Sequence, residues 1–158
     1  MIIRVGNGYD VHRLAEGPDL WLGGCRIAHS KGAVAHSDGD VLIHAICDAL
    51  LGAAALRDIG YHFPDTDPKY KGIDSKQLLK ETAALIRNAG YEISNIDTTV
   101  CLQQPKIGEY IPQMQQTLAA VLQIDDTQIS IKATTTEKLG FVGREEGIAA
   151  YVVVLLVA

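Results

Sequence analysis

From Asp40 to Leu56 the chain reads DVLIHAICDALLGAAAL, rich in helix formers and apolar almost all the way round, which predicts a buried helix. Ser37 or Asp38 stands where that helix needs a cap. Ser75–Ala89 is amphipathic instead. Leu78, Leu79, Thr82, Ala83, Leu85, Ile86 and Ala89 share its buried side, and Gly90 supplies the stop. Pro112 suits the first turn of a third helix carrying Met114, Leu118, Val121 and Leu122. Alternation with a period of two marks the strands. Glu92–Gln104 sets Ile96, Thr98, Val100 and Leu102 on one face, and Ile129–Thr134 alternates in the same way. Ile2–Leu14 reads as a strand in which Gly6 and Gly8 mark weakness or close backbone approach. LWLGGCRIA is a short hairpin turning at Gly23-Gly24. Between Ala55 and Asp74, Gly60, Pro64, Pro68 and Gly72 signal a long loop, of the kind that often carries function. Gly140, Gly143 and Gly147 loosen a second loop before the last strand, AAYVVVLLVA.

This order of elements predicts an α+β two-layer sandwich, a mixed sheet with helices packed on one face. No repeat, linker or low-complexity tract divides residues 1–158, so one domain is expected. The last strand is apolar on both faces. Helices on one side cannot cover it alone, and its other side calls for another subunit.

Composition narrows the function. At 158 residues, with 47% hydrophobic and 21% charged positions, the chain is globular and not disordered. A net charge of −5 without any basic run argues against nucleic acid as a partner. Cys25, Cys47 and Cys101 are odd in number and widely spaced, which excludes a disulfide framework and fits a reducing compartment. The opening MIIRVGNGYDVHRL lacks a signal-peptide core, and Ile148–Ala158 is too short to span a bilayer. A cytoplasmic protein without membrane attachment is expected.

Two constellations carry possible chemistry. Asp10 and His12, at i and i+2 of a strand, face the same way, although so short a pattern is more often a surface pair or a hydrogen-bonded histidine. Asp40, His44 and Asp48 form one polar stripe on an otherwise apolar helix, and burying it unpaired costs several kcal/mol. A metal ion is one partner for it; a core histidine bonded to Asp48 is the other. Joined, Asp10, His12 and His44 offer two imidazoles and a carboxylate, a set suited to Zn²⁺ with an open fourth position. Asp48 then either orients a ligand from behind or is a plain helix-surface carboxylate.

Two further segments suit oxyanions. His36-Ser37-Asp38-Gly39 precedes a helix N-terminus, where free amides favour phosphate, and KATTTEK sets three hydroxyls beside Glu137, a candidate Mg²⁺ ligand. Lys106 and Arg144 are candidate anion contacts or solvated charges. No Cys-His or Ser-His pair announces a protein nucleophile.

GYDVHRL, AHSDGDVLIHAICDALLGAAALRDIGYHFPDTDP, PKIGEYIPQM and IKATTTEKLGFVGREEGIAAY closely resemble the 2-C-methyl-D-erythritol 2,4-cyclodiphosphate synthase family of the non-mevalonate isoprenoid route, over essentially the whole chain. The resemblance implies a lyase that converts 4-diphosphocytidyl-2-C-methyl-D-erythritol 2-phosphate into the cyclic diphosphate and CMP. It implies a homotrimer with sites at the subunit interfaces. By motif, Asp10, His12 and His44 bind Zn²⁺, and Glu137 helps hold Mg²⁺ or Mn²⁺. His36 and Thr135 stabilise the transition state. Ser37, Asp58, Gly60, Phe63 and Asp65 surround the methylerythritol and its phosphate. The Leu102–Ile107 segment of the adjacent subunit, with Lys106 and Thr134, takes the cytidine diphosphate, and Phe141 and Arg144 match the family's following loop. Tyr151 departs from the carboxylate that some relatives carry in the trimer channel. A zinc phosphohydrolase and a binding module with structural zinc are the rival readings. The absence of a dense metal-bridging cluster and of nearby cysteine speaks against them.

Overall fold

The computed structural model describes residues 1–158. Its centre is a five-stranded sheet in the order β4-β1-β7-β5-β6, formed by β1 (Ile3–Glu16), β4 (Lys31–Val34), β5 (Glu92–Cys101), β6 (Ile129–Thr134) and β7 (Gly147–Val157). β5 and β6 run parallel and the other neighbours antiparallel, so the sheet is mixed. The hairpin β2 (Leu20–Leu22) and β3 (Cys25–Ile27) stands apart, turning through Gly23 and Gly24 at φ of 58° and 76°, a conformation that glycine adopts without strain.

Against one face lie α1 (Val41–Ala53), α3 (Ser75–Asn88) and α4 (Ile111–Leu122). One cluster of 37 buried residues joins them to the sheet. α1 is the inner helix, with Leu42, Ile43, Ile46 and Leu50 fully enclosed, each worth about 1.5–3 kcal/mol of apolar burial. It lies directly on β1 at Gly6 and Gly8. A Cβ on Gly8 would stand 2.0 Å from the carbonyl oxygen of Ala45, and one on Gly6 2.1 Å from that of Ala49. Close approach, not weakness, is therefore what the two glycines encode.

Several local expectations change. α1 is capped by neither Ser37 nor Asp38 but by Asp40, a fully buried carboxylate that also accepts from the amides of Gly23 and Gly24. The helix ends at Ala53, where Ala55 turns left-handed (φ 58°) and Leu56 donates back to Leu51. The long loop contains the single turn α2 (Ile59–His62) and a 3₁₀ turn at Pro68–Tyr70, and another single turn, α5 (Gly140–Gly143), sits in the glycine-rich loop. Ala89 is exposed, because α3 has already ended. β5 stops at Cys101, short of Gln104, although Leu102 still donates to Thr134 and is buried.

The opposite face of the sheet is bare. Alternation turns Val152, Val154 and Leu156 toward the helices and Tyr151 and Val153 away from them. With Val5, Tyr9 and Val11 of β1, these two make an apolar band whose members are 43–68% exposed. Tyr9 and Tyr151, paired across the strands, stack at 5.0 Å between ring centroids.

Candidate active site

β1 alternates Gly6, Gly8, Asp10, His12 and Leu14 onto the helix side, so the glycines that admit α1 share a face with the two polar residues. Four residues into α1, His44 meets them. Its Nδ1 lies 3.1 Å from Asp10 Oδ2, the two imidazole rings are 5.2 Å apart, and the three ligand atoms fall within 4.8 Å of one another. His12 Nδ1 is 2.7 Å from the Val11 carbonyl, which leaves Nε2 as the ring's lone pair. That Nε2 is buried without any hydrogen-bond partner. An orphaned imidazole nitrogen beside a carboxylate and a second imidazole is what a cation would satisfy, and the donor set fits zinc.

The electrostatics agree. Burial disfavours the imidazolium of His44, but the hydrogen bond and charge of Asp10, with further charge from Asp40 and Asp38, raise its pKa above the ordinary histidine value. Burial pushes Asp48 up as well, against the amide of Ile59 that holds it down. So negative a surround favours a cation and, without one, repels phosphate.

The polar stripe on α1 divides into three jobs. Asp40 caps the helix through the Ile43 amide. His44 joins the cluster. Asp48 bonds neither histidine; its Oδ1 accepts from Ile59 N at 2.8 Å and anchors the start of α2. The expected phosphate site at the α1 N-terminus is closed by the chain itself. Gly39 N donates to Ser37, Asp40 N to Asp38 and Ile43 N to Asp40, whose buried carboxylate would oppose an anion there.

His12 and His44 open onto a cleft of about 620 Å³ that His36, Ser37, Gly60, Phe63 and Asp65 also line. Asp58 does not line it; its carboxylate caps α2 by accepting from Tyr61 N. Phe141 and Arg144 border a second cleft, of about 560 Å³, that reaches the other side of His12. Arg144 is paired with Glu146 at 2.6 Å.

The remaining expected site residues gather elsewhere. Leu102 donates to the Thr134 carbonyl, Glu137 N donates to Thr135 Oγ1 and Lys138 N to Gln103, so β5 and β6 end in one shared loop cluster. Lys106 and Glu137 are exposed. In the sheet, Asp10 pairs with Ala150, Ala150 with Val100, and Val100 with Ala133. Three interstrand spacings of about 4.8 Å separate the cluster from the β6 end, roughly 14 Å. None of Leu102, Lys106, Thr134, Thr135 or Glu137 lines the cleft over His44.

Sequence reasoning missed Ser75. Its hydroxyl lies 2.9 Å from His44 Nε2, and as the first residue of α3 it reads from the sequence only as a helix start. No spacing signal links it to His44.

Fold and site together define an α+β domain whose sheet and inner helix bring together three side chains able to hold a cation, beside a cleft. Residues 3–157 match the model of the YgbB family. The chain is 66% identical over 155 residues to the 2-C-methyl-D-erythritol 2,4-cyclodiphosphate synthase of Porphyromonas gingivalis, covering 98% of this chain and 96% of that protein. It is 65% identical over 156 residues to the synthase of Bacteroides thetaiotaomicron, covering 99% and 98%. Among solved structures, the bifunctional IspDF from Campylobacter jejuni superposes with a TM-score of 0.95 at 48% identity over 98% of this chain, which spans only 42% of that longer one. A 2C-methyl-D-erythritol-2,4-cyclodiphosphate synthase in a CDP-bound form gives 0.90 at 38% identity, covering 98% and 100%. The chain belongs to the YgbB family, that of the 2-C-methyl-D-erythritol 2,4-cyclodiphosphate synthases, and it is an enzyme of this kind.

Proposed function

We infer that the chain converts 4-diphosphocytidyl-2-C-methyl-D-erythritol 2-phosphate into 2-C-methyl-D-erythritol 2,4-cyclodiphosphate and CMP, as a single domain of residues 1–158 acting in the cytoplasm of a cell that uses the non-mevalonate route. Membership of the family carries this reading. The missing protein nucleophile is consistent with it. The 2-phosphate is itself the attacking group, and with a second pKa near about 6 it is mostly dianionic at pH 7. It forms a bond to the nearer phosphorus of the diphosphate while CMP leaves with the electrons of the broken P–O bond.

Asp10, His12 and His44 are the residues that would hold zinc, and Glu137 the one that would hold Mg²⁺ or Mn²⁺. Bound there, such ions act as Lewis acids and templates that offset repulsion between phosphates. The rest of the work is positioning, and well-aligned intramolecular attack supplies about 7–11 kcal/mol. On our reading Ser37, Gly60, Phe63 and Asp65 hold the methylerythritol in the cleft and exclude water, Asp58 positions the α2 turn beside it, and His36 and Thr135 meet charge developing on the phosphates.

The second group of residues reaches the same substrate from a neighbouring copy. Within one chain it lies too far from the metal cluster, and the bare apolar sheet face gives a surface on which copies can associate. We read the assembly as a homotrimer, with Leu102, Lys106, Thr134, Thr135 and Glu137 of one subunit facing the cleft of the next and taking the cytidine diphosphate. Phosphorus NMR of the products tests the reaction. A cyclic diphosphate with stoichiometric CMP is expected, and a hydrolysed linear diphosphate would overturn it.

A further inference from the structure

Two hydroxyls approach His44 Nε2, Ser75 Oγ at 2.9 Å and Ser37 Oγ at 3.2 Å, and they are not equivalent. Ser75 is fully buried and its hydroxyl donates to Asp38 Oδ1. Asp38 is held in turn. Its Oδ2 accepts from Ser75 N at 2.8 Å, its Oδ1 accepts from Asp40 N at 3.1 Å, and its own amide donates to the Ile73 carbonyl. A hydroxyl carries one proton, and Ser75 commits that proton to a carboxylate. Toward His44 it presents only lone pairs, so Nε2 must be the donor. The ring's other nitrogen then faces Asp10 Oδ2 at 3.1 Å without a proton of its own, and in a neutral ring that contact sets lone pair against lone pair unless a cation lies between them.

We propose that Ser75 and Asp38 form a hydrogen-bond chain that fixes the proton of His44 on Nε2, and so holds Nδ1 ready as the ligand it presents beside Asp10. Ser75 is a positioning residue. It touches neither substrate nor metal, and it acts by selecting one tautomer and one ring orientation. Ser37 cannot replace it. Its oxygen accepts from Gly39 N while its proton stays uncommitted, so it can donate to Nε2 and support the wrong tautomer. Losing Ser75 would let the proton move to Nδ1, where Asp10 accepts it and the ligand position closes.

This inference rests on the reading of Asp10, His12 and His44 as a metal site, and the test separates the two. Zinc affinity is measured by chelator competition for the parent, Ser75→Ala and His44→Ala, with thermal melting to confirm that each is folded. Ser75→Ala is expected to bind zinc about 10–100-fold more weakly than the parent, the range typical when such an outer partner is lost. Affinity within twofold of the parent overturns the chain's role and leaves the metal site standing. A parent that binds no zinc, or a His44→Ala protein that binds it fully, overturns the metal site and this inference with it. The unmutated zinc-loaded protein gives an independent reading through the imidazole ¹⁵N signals of His44. A proton on Nε2 is expected, and a proton on Nδ1 would overturn the proposal even if Ser75→Ala fails to fold.

Discussion

Three carboxylates act on His44, and its chemistry follows from that. Asp10 bonds it, and Asp38 and Asp40 add charge from the segment before α1. Replacing it with alanine should abolish zinc binding and turnover together while leaving the fold, because the apolar side chains of α1 hold that helix independently. Metal analysis of a folded His44→Ala protein checks this, and full zinc occupancy would refute it. The pH dependence has a definite sign. The raised pKa means that the His44–Asp10 pair stabilises the metal-free fold fully below the unfolded value of about 6.5, and that this contribution is lost as pH rises through the folded value. Metal binding needs the neutral ring and runs the opposite way. The gain in Tm from saturating zinc should therefore be larger at pH 8 than at pH 6, and equal gains would contradict the assignment. At this scale the sequence was informative where periodicity speaks. Asp10 and His12 share a strand face, and His44 breaks an apolar helix. It was silent about Ser75 and Asp38, which are joined only by the folded path of the long loop, and it misread Asp40, whose capping role depends on the distant Gly23-Gly24 turn.

Among the elements, the contact of β1 with α1 positions the site, since it brings Asp10 and His12 to the helix that carries His44. Gly6 and Gly8 make that contact possible. Gly8→Ala would force a methyl group to within 2.0 Å of the Ala45 carbonyl oxygen, a backbone atom that cannot rotate away. Overpacking of this kind costs about 1–3 kcal/mol or more. Gly52→Ala makes the control. It lies in the same helix with nothing within 4 Å of its new Cβ, and it should stabilise by about 0.5–1 kcal/mol. Melting curves decide between them: Gly8→Ala falls and Gly52→Ala rises, and a Gly8→Ala protein as stable as the parent would refute the close packing. Six of the seven strands and the three long helices were legible from period and turn residues, whereas the four-residue β4 was too short to show alternation. The single turns α2 and α5 were not legible either, because four residues hold no periodicity and loop punctuation hides them. The cap of α1 was misplaced by three residues or two for a related reason: Ser37, Asp38 and Asp40 are all good capping residues, and only tertiary contacts choose among them.

Across the whole molecule, two observations ask for a neighbour. One is the apolar band of β1 and β7, and the other is the roughly 14 Å between the Asp10–His12–His44 group and the β6 loop. The doubly apolar last strand made the first of these readable in advance, and the structure identifies the outward residues as Val153 and, half-buried, Leu155. If copies associate through this face, aspartate at both positions should yield a folded monomer, whereas aspartate at Val152 and Val154 should destroy the core. Light scattering and circular dichroism distinguish the outcomes, and an intact oligomer after the Val153 and Leu155 changes would contradict association through this face. If each site is completed by a second copy, two different inactive variants should restore one another when mixed. His44→Ala and Glu137→Gln, each inactive alone, are co-refolded in equal amounts and assayed for cyclic diphosphate. If sites form between subunits of a closed ring, about a quarter of them pair an intact His44 with an intact Glu137, and activity returns to about a quarter of the parent's. A mixture no more active than the two variants alone would mean that both residues serve one site from a single chain.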